Sequence, residues 1–257
     1  MPVFTSYATG TPCWVDVTSP ELDRTVSFYS DFFGWDAEQD PRPEAGGYTM
    51  FKKNGKYVAA ASAPPPGTEG TPPHWTTYIA SDDVDATAGQ VSEAGGTLLM
   101  EPFDVFDAGR MAVAQDPSGA VFGIWQAGAH QGAELANEPG TLAWNECQTR
   151  DPEAADAFYR AVFGYEVETS DVGGTEYRVL KVDGKGVAGM LPITPQMGEM
   201  PPNWSTTFAV EDADEAAKKA EESGARVLVQ PFDIPEVGRY AVVQDPVGAI
   251  FGVLANP

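Results

Sequence analysis

The chain contains the same pattern twice, and this duplication restricts its possible folds more than any other feature. The segment Gln115-Asp116-Pro117-Ser118-Gly119-Ala120-Val121-Phe122-Gly123 returns 129 residues later as Gln244-Asp245-Pro246-Val247-Gly248-Ala249-Ile250-Phe251-Gly252, with two differences. Phe28-Tyr29 and Phe158-Tyr159 are offset by 130 residues. A nearly constant offset over so much of the chain indicates a duplicated domain. The two halves have matching residues, so each can form the same kind of cavity as the other.

The composition favours a globular protein and argues against two classes of partner. Hydrophobic residues make up 42% of the 257 residues, which is typical of chains that bury a core. The formal net charge is −23, with 38 acidic against 15 basic residues. Such a charge repels nucleic acid and anionic membranes, so neither is expected as a partner. The acidic residues are spread along the sequence and are expected to form a solvated surface.

The termini and the cysteines give an expectation about location. The start, Met1-Pro2-Val3-Phe4, has no basic region followed by an apolar one, and no apolar run reaches the length of a membrane span. Cys13 and Cys147 are not at matching positions of the repeat, so we expect reduced thiols in the core. A cytoplasmic location is therefore predicted.

Each half is predicted to consist of a strand, a helix and three strands, followed by the same set again. Ser19-Pro20-Glu21 indicates a helix start, and Leu22, Val26, Tyr29 and Phe33 then form one apolar stripe that ends at Gly34. Asp82 or Asp83 is expected to cap the second helix, which Gly95-Gly96 ends. Asn54-Gly55 indicates a hairpin between two strands.

This arrangement predicts an α+β fold of two domains, each large enough to bury its own core. Residues 1–127 form the first domain, residues 128–139 a linker rich in Gly, Ala and Glu, and residues 140–257 the second domain. Two proline-rich loops, 63–73 and 192–202, occupy matching positions. They are either plain connections or lids over paired cavities. The two halves are expected to form an internal pseudo-dimer within a monomer.

The residues Phe28-Tyr29, Phe33-Gly34-Trp35 and Asp116-Pro117-x-Gly119 resemble the signature of the vicinal oxygen chelate superfamily. This superfamily includes glyoxalase I, extradiol dioxygenases and bleomycin-binding resistance proteins. The resemblance covers nearly the whole chain and implies two tandem domains of paired βαβββ modules. Each domain would form a cupped mixed sheet with helices on the outside. The fold carries lyases, oxygenases, isomerases and pure binding proteins, so it does not fix a function.

The resemblance also implies where a metal would be bound. In metal-using members the ligands lie on the first, fourth, fifth and eighth strands of a domain. These positions fall on Trp14, near Ala60, near Thr76 and on Gly123, and in the second half on Trp144, near Gly189, near Ser205 and on Gly252. None of these residues is a useful ligand for a divalent ion. We therefore predict no metal and no cofactor, and expect the two histidines, His74 and His130, to be exposed or loop residues.

Aromatic residues and glycines at these positions predict a pocket for an organic ligand. Alternation along a strand places Asp16 on the same face as Trp14, and Glu146 on the same face as Trp144. The predicted ligand-binding residues are Trp14, Tyr48, Thr76, Gly123, Trp125, Trp144, Tyr177, Ser205 and Gly252, with empty space expected above the glycines. The alternative is that the aromatic side chains simply fill the cups.

Two carboxylates and two arginines also require an interpretation. Asp16 and Glu146 lie in apolar surroundings and are candidates for acid–base catalysis, or else carboxylates with a structural role only. Arg110 and Arg239 are predicted to pair with acidic residues such as Asp116 and Asp245.

Three functions remain open from the sequence. The first is a metal-independent protein that binds a small apolar or aromatic molecule in its cups. The second is a cofactor-free enzyme of the isomerase, cyclase or lyase type that uses Asp16 or Glu146 as acid and base. The third is a metal-dependent glyoxalase or dioxygenase, against which the residues at the metal positions argue.

Overall fold

The computed structural model describes residues 3–68, 70–172 and 174–256. The elements of the first half are β1 (Pro12–Thr18), α1 (Leu22–Phe33), β2 (Asp36–Gln39), β3 (Thr49–Lys53), β4 (Lys56–Ser62), β5 (His74–Ala80), α2 (Val84–Glu93), β6 (Thr97–Val105), β7 (Gly109–Gln115) and β8 (Val121–Ala127). Those of the second half are β9 (Leu142–Thr149), α3 (Pro152–Phe163), β10 (Glu166–Val172), β11 (Thr175–Val182), β12 (Lys185–Pro192), β13 (Asn203–Ala209), α4 (Ala213–Glu222), β14 (Arg226–Ile234), β15 (Gly238–Gln244) and β16 (Ile250–Ala255). Two single-turn 3₁₀-helices lie at Pro43–Ala45 and Pro195–Met197.

Each half forms one eight-stranded mixed sheet, as expected for an α+β fold of paired βαβββ modules. The strand order is β2-β3-β4-β1-β5-β8-β7-β6 in the first sheet and β10-β11-β12-β9-β13-β16-β15-β14 in the second. The predicted hairpin between β3 and β4 is confirmed, because Asn54 and Gly55 have φ angles of 53° and 73°.

Local signals fix most of the helix ends. Gly34 and Gly164 end α1 and α3 in the left-handed conformation. Asp83 caps α2 by accepting a hydrogen bond from the amide of Ala86. The helix start predicted at Ser19 is displaced, since α1 begins at Leu22. The Ser19 hydroxyl instead accepts hydrogen bonds from the amide of Glu21 and the hydroxyl of Thr25.

Alternation along β1 divides its side chains between two faces of the curled sheet. Val15 and Val17 point to the convex face, where they pack in one hydrophobic cluster with α1. Trp14 points to the concave face and packs with Ala60, Tyr78 and Trp125. The helices therefore lie outside the two concave faces, which we call the first cup and the second cup after the half that forms each.

Two of the hydrophobic clusters are shared between the halves, which differs from the expectation that each half buries its own. One core joins β1, β4 and α1 of the first half to β13, β15, β16 and α4 of the second. The other joins β5, α2, β7 and β8 to β9, α3, β11 and β12. Phe28 and Phe32 of α1 thus contact Phe251 of β16. The apolar stripe on each helix is wide enough to cover its own sheet and part of the other.

A buried tyrosine and aspartate link the halves at two matching places. Tyr29 of α1 donates a hydrogen bond to Asp245 Oδ2 over 3.1 Å and accepts one from the indole nitrogen of Trp75 over 2.9 Å. Tyr159 of α3 repeats this arrangement with Asp116, also at 3.1 Å. Both tyrosines are fully buried. We call these two contacts the tyrosine links.

The predicted pairing of Arg110 and Arg239 with the Asp-Pro aspartates is wrong. The guanidinium of Arg110 binds Asp85 at 2.8 Å and Asp104 at 2.9 Å, because β7 places it directly opposite Asp104 on β6 and beside the start of α2. Arg239 makes the matching contacts with Asp214 and Asp233.

The remaining structural expectations concern the thiols and the membrane. Cys13 and Cys147 are buried free thiols, as expected from their unmatched positions. Within the described residues, no helix combines the length and apolarity needed to cross a membrane.

Candidate ligand-binding site

The first cup holds a connected set of hydrogen bonds around one carboxylate. The indole nitrogen of Trp14 donates to the hydroxyl of Tyr48 over 3.0 Å, and that hydroxyl donates to Asp16 Oδ2 over 3.2 Å. Tyr78 donates to the same oxygen over 3.0 Å. Thr76, the fifth-strand candidate, lies directly opposite Asp16 on β5. The structure therefore brings together four of the predicted residues, Trp14, Asp16, Tyr48 and Thr76.

The environment of Asp16 favours its protonated form. Its side chain lies in an apolar interior, with the residue 4% exposed. Burial raises the pKa of Asp16 to about 6, although the hydrogen bonds from Tyr78 and Tyr48 act in the opposite direction. A carboxyl group with such a pKa exchanges a proton near neutral pH.

The space above the two glycines is filled, so the prediction of empty space there is wrong. A Cβ atom on Gly123 would lie 2.1 Å from Cδ1 of Tyr78. A Cβ atom on Gly252 would lie 2.6 Å from both Tyr240 Oη and Thr207 Oγ1. Tyrosine rings from neighbouring strands thus occupy the volume that the glycines leave. Each glycine is needed where it is because a side chain would collide with one of these rings.

The chain segment that connects β8 of the first sheet to β9 of the second closes the first cup. Residues 128–136, which we call the strap, follow β8 and pass over the concave face. The His130 ring packs edge-on against Trp14, with 4.4 Å between ring centroids and 83° between ring planes. His130 is therefore not an exposed loop histidine, and burial lowers its pKa to about 4. His74 remains peripheral, at the first residue of β5, where its ring nitrogen lies 2.9 Å from the carbonyl oxygen of Pro72.

The second cup repeats the hydrogen-bonded set with a longer acid. The indole nitrogen of Trp144 donates to the hydroxyl of Tyr177 over 2.8 Å, and Tyr177 is hydrogen-bonded to Glu146. The amide of Gln148 donates to Glu146 Oε1 over 3.0 Å. Burial raises the pKa of Glu146, while the bonds from Gln148 and Tyr177 lower it.

The two cups differ most in how far they are open. Trp14, Asp16 and Thr76 are buried, at 4%, 4% and 8% exposure. Their counterparts in the second cup, Trp144, Glu146 and Ser205, are all half-buried. The matched residues therefore meet solvent in the second cup and not in the first.

An exposed apolar wall continues the second cup towards its outer strands. Phe232 pairs with Tyr240 across β14 and β15, and their rings are in edge contact at 5.9 Å. Phe232 is 44% exposed, and Val229 and Ile250 on the same face are 42% and 46% exposed. Exposed apolar patches on a concave surface commonly mark a binding site.

A family comparison agrees with the duplicated fold. The model of the Glyoxalase/Bleomycin resistance protein/Dioxygenase superfamily matches residues 13–124 and again residues 131–253. The chain belongs to this superfamily. Among its relatives in the superfamily, a Mycobacterium bovis protein named "Putative glyoxylase CFP32" is 48% identical over 99% of this chain and 98% of its own length. The anthracycline biosynthesis protein DnrV of Streptomyces peucetius is 39% identical over 97% of this chain and 94% of its own length.

Solved structures of the superfamily share the fold. A Mn(II)-bound glyoxalase from Novosphingobium aromaticivorans superposes with a TM-score of 0.66 at 16% identity, covering 96% of this chain and 82% of that one. A 2,2',3-trihydroxybiphenyl 1,2-dioxygenase from Sphingomonas wittichii superposes with a TM-score of 0.67 at 13% identity, covering 97% and 91% of the two chains.

The residues of this chain do not fit a divalent metal such as the Mn(II) of the glyoxalase from Novosphingobium aromaticivorans. Each cup has one central carboxylate, Asp16 or Glu146, and both carboxylates are engaged by neighbouring hydrogen-bond donors. Across residues 3–68, 70–172 and 174–256, no three His, Cys, Asp or Glu side chains converge in a way that would hold a metal ion. Tryptophan, threonine and glycine in place of imidazole and carboxylate leave an incomplete donor set.

Sequence reasoning missed four residues that shape the two cups, namely Tyr78, Thr207, Tyr240 and His130. The first three were detectable in part, because the repeat offset aligns Tyr78 with Thr207 and Met111 with Tyr240. The tyrosine above the glycine therefore comes from β5 in the first cup and from β15 in the second. The position of His130 had no such signal, because nothing in the sequence of the strap indicated that a side chain would enter the cup.

Proposed function

We propose that this protein binds a small, flat aromatic molecule in its second cup without a metal ion. The observation that carries the proposal is the half-burial of Trp144 and Glu146 on β9, together with the exposed ring of Phe232 on the outermost strand of the same sheet. An indole and a phenyl ring offer faces for stacking, and the carboxyl group of Glu146 offers a polar anchor. The Streptomyces peucetius relative is named an anthracycline biosynthesis protein, and anthracyclines are flat aromatic molecules of this class. This similarity supports the proposal.

Binding is expected to be visible in tryptophan fluorescence. We expect 1,8-dihydroxyanthraquinone to quench the emission of the parent protein saturably, because the ligand would stack against Trp144. Trp144→Phe should lose most of this response and weaken binding about fivefold, since aromatic stacking contributes about 1 kcal/mol. Titration of both proteins followed by fluorescence and calorimetry measures this.

Trp14→Phe is the matched control because it changes the same residue type in the closed cup. It should retain the affinity of the parent. Equal loss in both variants, or an absence of saturable quenching across a panel of hydroxyanthraquinones, would contradict the assignment of the ligand to the second cup.

A second candidate function is proton transfer by Glu146 on the bound molecule. It is favoured by the raised pKa of Glu146 and by the ordered donors, Tyr177 and Gln148, that hold its carboxyl group. A carboxyl group of this kind serves cofactor-free isomerisation, ring closure or elimination by taking up a proton and returning it elsewhere.

Glu146→Gln separates catalysis from binding. The amide keeps the size of the side chain but cannot accept a proton, so we expect ligand affinity within about threefold of the parent, and turnover lowered by about 10² to 10⁴. Turnover is measured by mass spectrometry of the ligand after incubation with each protein. Undiminished turnover in Glu146→Gln would exclude Glu146 as the acid–base group, and a stable ligand with both proteins would leave binding as the function.

A further inference from the structure

Three aromatic rings surround the His130 imidazole in the first cup. Its centroid lies 4.4 Å from the ring of Trp14, 5.8 Å from that of Trp125 and 6.0 Å from that of Tyr57. All three neighbours meet it at steep angles, between 66° and 85°. Edge-to-face contacts of this kind are a favourable arrangement for aromatic pairs. The enclosure therefore suits a small flat ring.

The enclosure makes no use of the polar edge of that ring. His130 Nε2 is buried and has no hydrogen-bond partner within the described part of the chain. An unpaired buried polar atom costs free energy. The shape of the enclosure thus favours a flat, neutral ring. The unpaired Nε2 of the His130 imidazole is unfavourable there.

The strap is held in place by contacts other than the imidazole. The amide of Ala133 donates to the carbonyl of Cys13 over 2.8 Å, and the amide of Glu134 donates to the carbonyl of Tyr57 over 2.7 Å. The indole nitrogen of Trp125 donates to the backbone oxygen of His130 over 3.0 Å. At its start, the amide of Gly128 donates to the carbonyl of Ala108. The backbone of the strap therefore has anchors on both sides of the ring.

The second half has an open surface where the strap begins in the first. A hollow of about 440 Å³ lies there between the start of α4, the β14–β15 hairpin and the end of β16, lined among others by Asp214, Gly238 and Ala255. In the first half, the corresponding hairpin end at Ala108 carries the strap. No described residue provides a counterpart of His130 for the second cup. In the first half the strap closes the cup, because its His130 ring packs on Trp14.

We propose that the first cup is a binding site for a small, flat, neutral aromatic ring, and that the His130 side chain occupies it as an internal ligand. This site is separate from the second cup and takes a smaller ligand. Its existence does not depend on the proposed function.

Removal of the internal ring tests the proposal. His130→Gly leaves the anchored backbone of the strap and vacates a volume the size of an imidazole. We expect thiophene and imidazole to raise the thermal unfolding midpoint of this variant in a saturable manner. Thiophene should bind at least as tightly as imidazole, because it carries no ring nitrogen to leave unpaired. The dissociation constant of thiophene should be lower for this variant than for the parent by about tenfold or more.

His74→Gly is the matched control, since this half-buried histidine lies at the start of β5 and outside the ring enclosure, and it should show no response. His130→Gln, which fills part of the space without a ring, should also show none. His130→Ala replaces the glycine variant if that variant is unfolded. A folded variant that lacks the ring and responds to neither compound would overturn the proposal, as would an equal response in His74→Gly. Failure of anthraquinone binding at Trp144 would overturn only the proposed function.

Discussion

Replacing Asp116 by alanine is expected to lower the free energy of unfolding by about 4 kcal/mol, because several buried donors lose their acceptor at once. Asp116 Oδ1 accepts hydrogen bonds from the amides of Ser118, Gly119 and Ala120, all within 2.9 Å. Asp116 Oδ2 accepts the hydrogen bond of Tyr159, which has no exposed surface. The alanine variant would therefore disorder a turn of the first half and break a tyrosine link to the second. Urea unfolding followed by tryptophan fluorescence measures the loss.

Two variants serve as controls for this prediction. Asp116→Asn keeps an oxygen for the turn amides and should cost only about 1 to 2 kcal/mol, since it disturbs mainly the bond to Tyr159. Asp31→Ala, on the exposed surface of α1, should change stability by less than about 0.5 kcal/mol. A loss below about 1 kcal/mol in Asp116→Ala would show that the tyrosine link and the turn contribute little.

Replacing Asp16 by asparagine is expected to stabilise the protein above pH 7 by up to about 3 kcal/mol. The pKa of Asp16 is about 6 in the folded protein, against about 3.9 for an unfolded chain. The folded state thus holds the proton more tightly, and its stability falls as the pH rises from about 4 to about 6. Asparagine accepts the hydrogen bonds of Tyr48 and Tyr78 without ionising, so this loss disappears.

The measurement is the free energy of unfolding of both proteins between pH 4 and pH 8. The two curves should meet near pH 4, separate as the pH rises from about 4 to about 6, and stay apart above that range. His74 lies near Asp16 and favours its charged form. The same measurement on His74→Gln therefore shows how much His74 contributes to the pH dependence of stability. Glu146→Gln should show the same sign with a smaller gain, because Glu146 is half-buried. An asparagine variant that is less stable than the parent at pH 8 would contradict a raised pKa for Asp16.

Local and repeated features were the predictable part of this fold. The alternation along β1 and the Asn54-Gly55 turn depend on neighbours in the sequence, and each predicted the element that the structure contains. The 129-residue offset predicted that the same elements would recur in the second half. Alternation also placed Trp14 and Asp16 together, since it fixes which side chains share a face of a strand.

Contacts between distant segments were not predictable in the same way. Tyr29 and Asp245 are 216 residues apart, and an apolar stripe on a helix does not specify which sheet it covers. The tyrosines above Gly123 and Gly252 come from other strands, so the glycines alone suggested empty space. A linker rich in glycine and alanine likewise gave no sign that His130 would enter the first cup.

The shared cores set a condition on how such a chain changes over generations. Phe28 and Phe251 meet in one core although they belong to different copies of the repeat. A substitution that changes the volume of one of these side chains is therefore expected to require a matching change in the other copy. The two halves are expected to change together at this core, whereas the side chains around Trp14 on the first concave face belong to a separate cluster and are free of that condition.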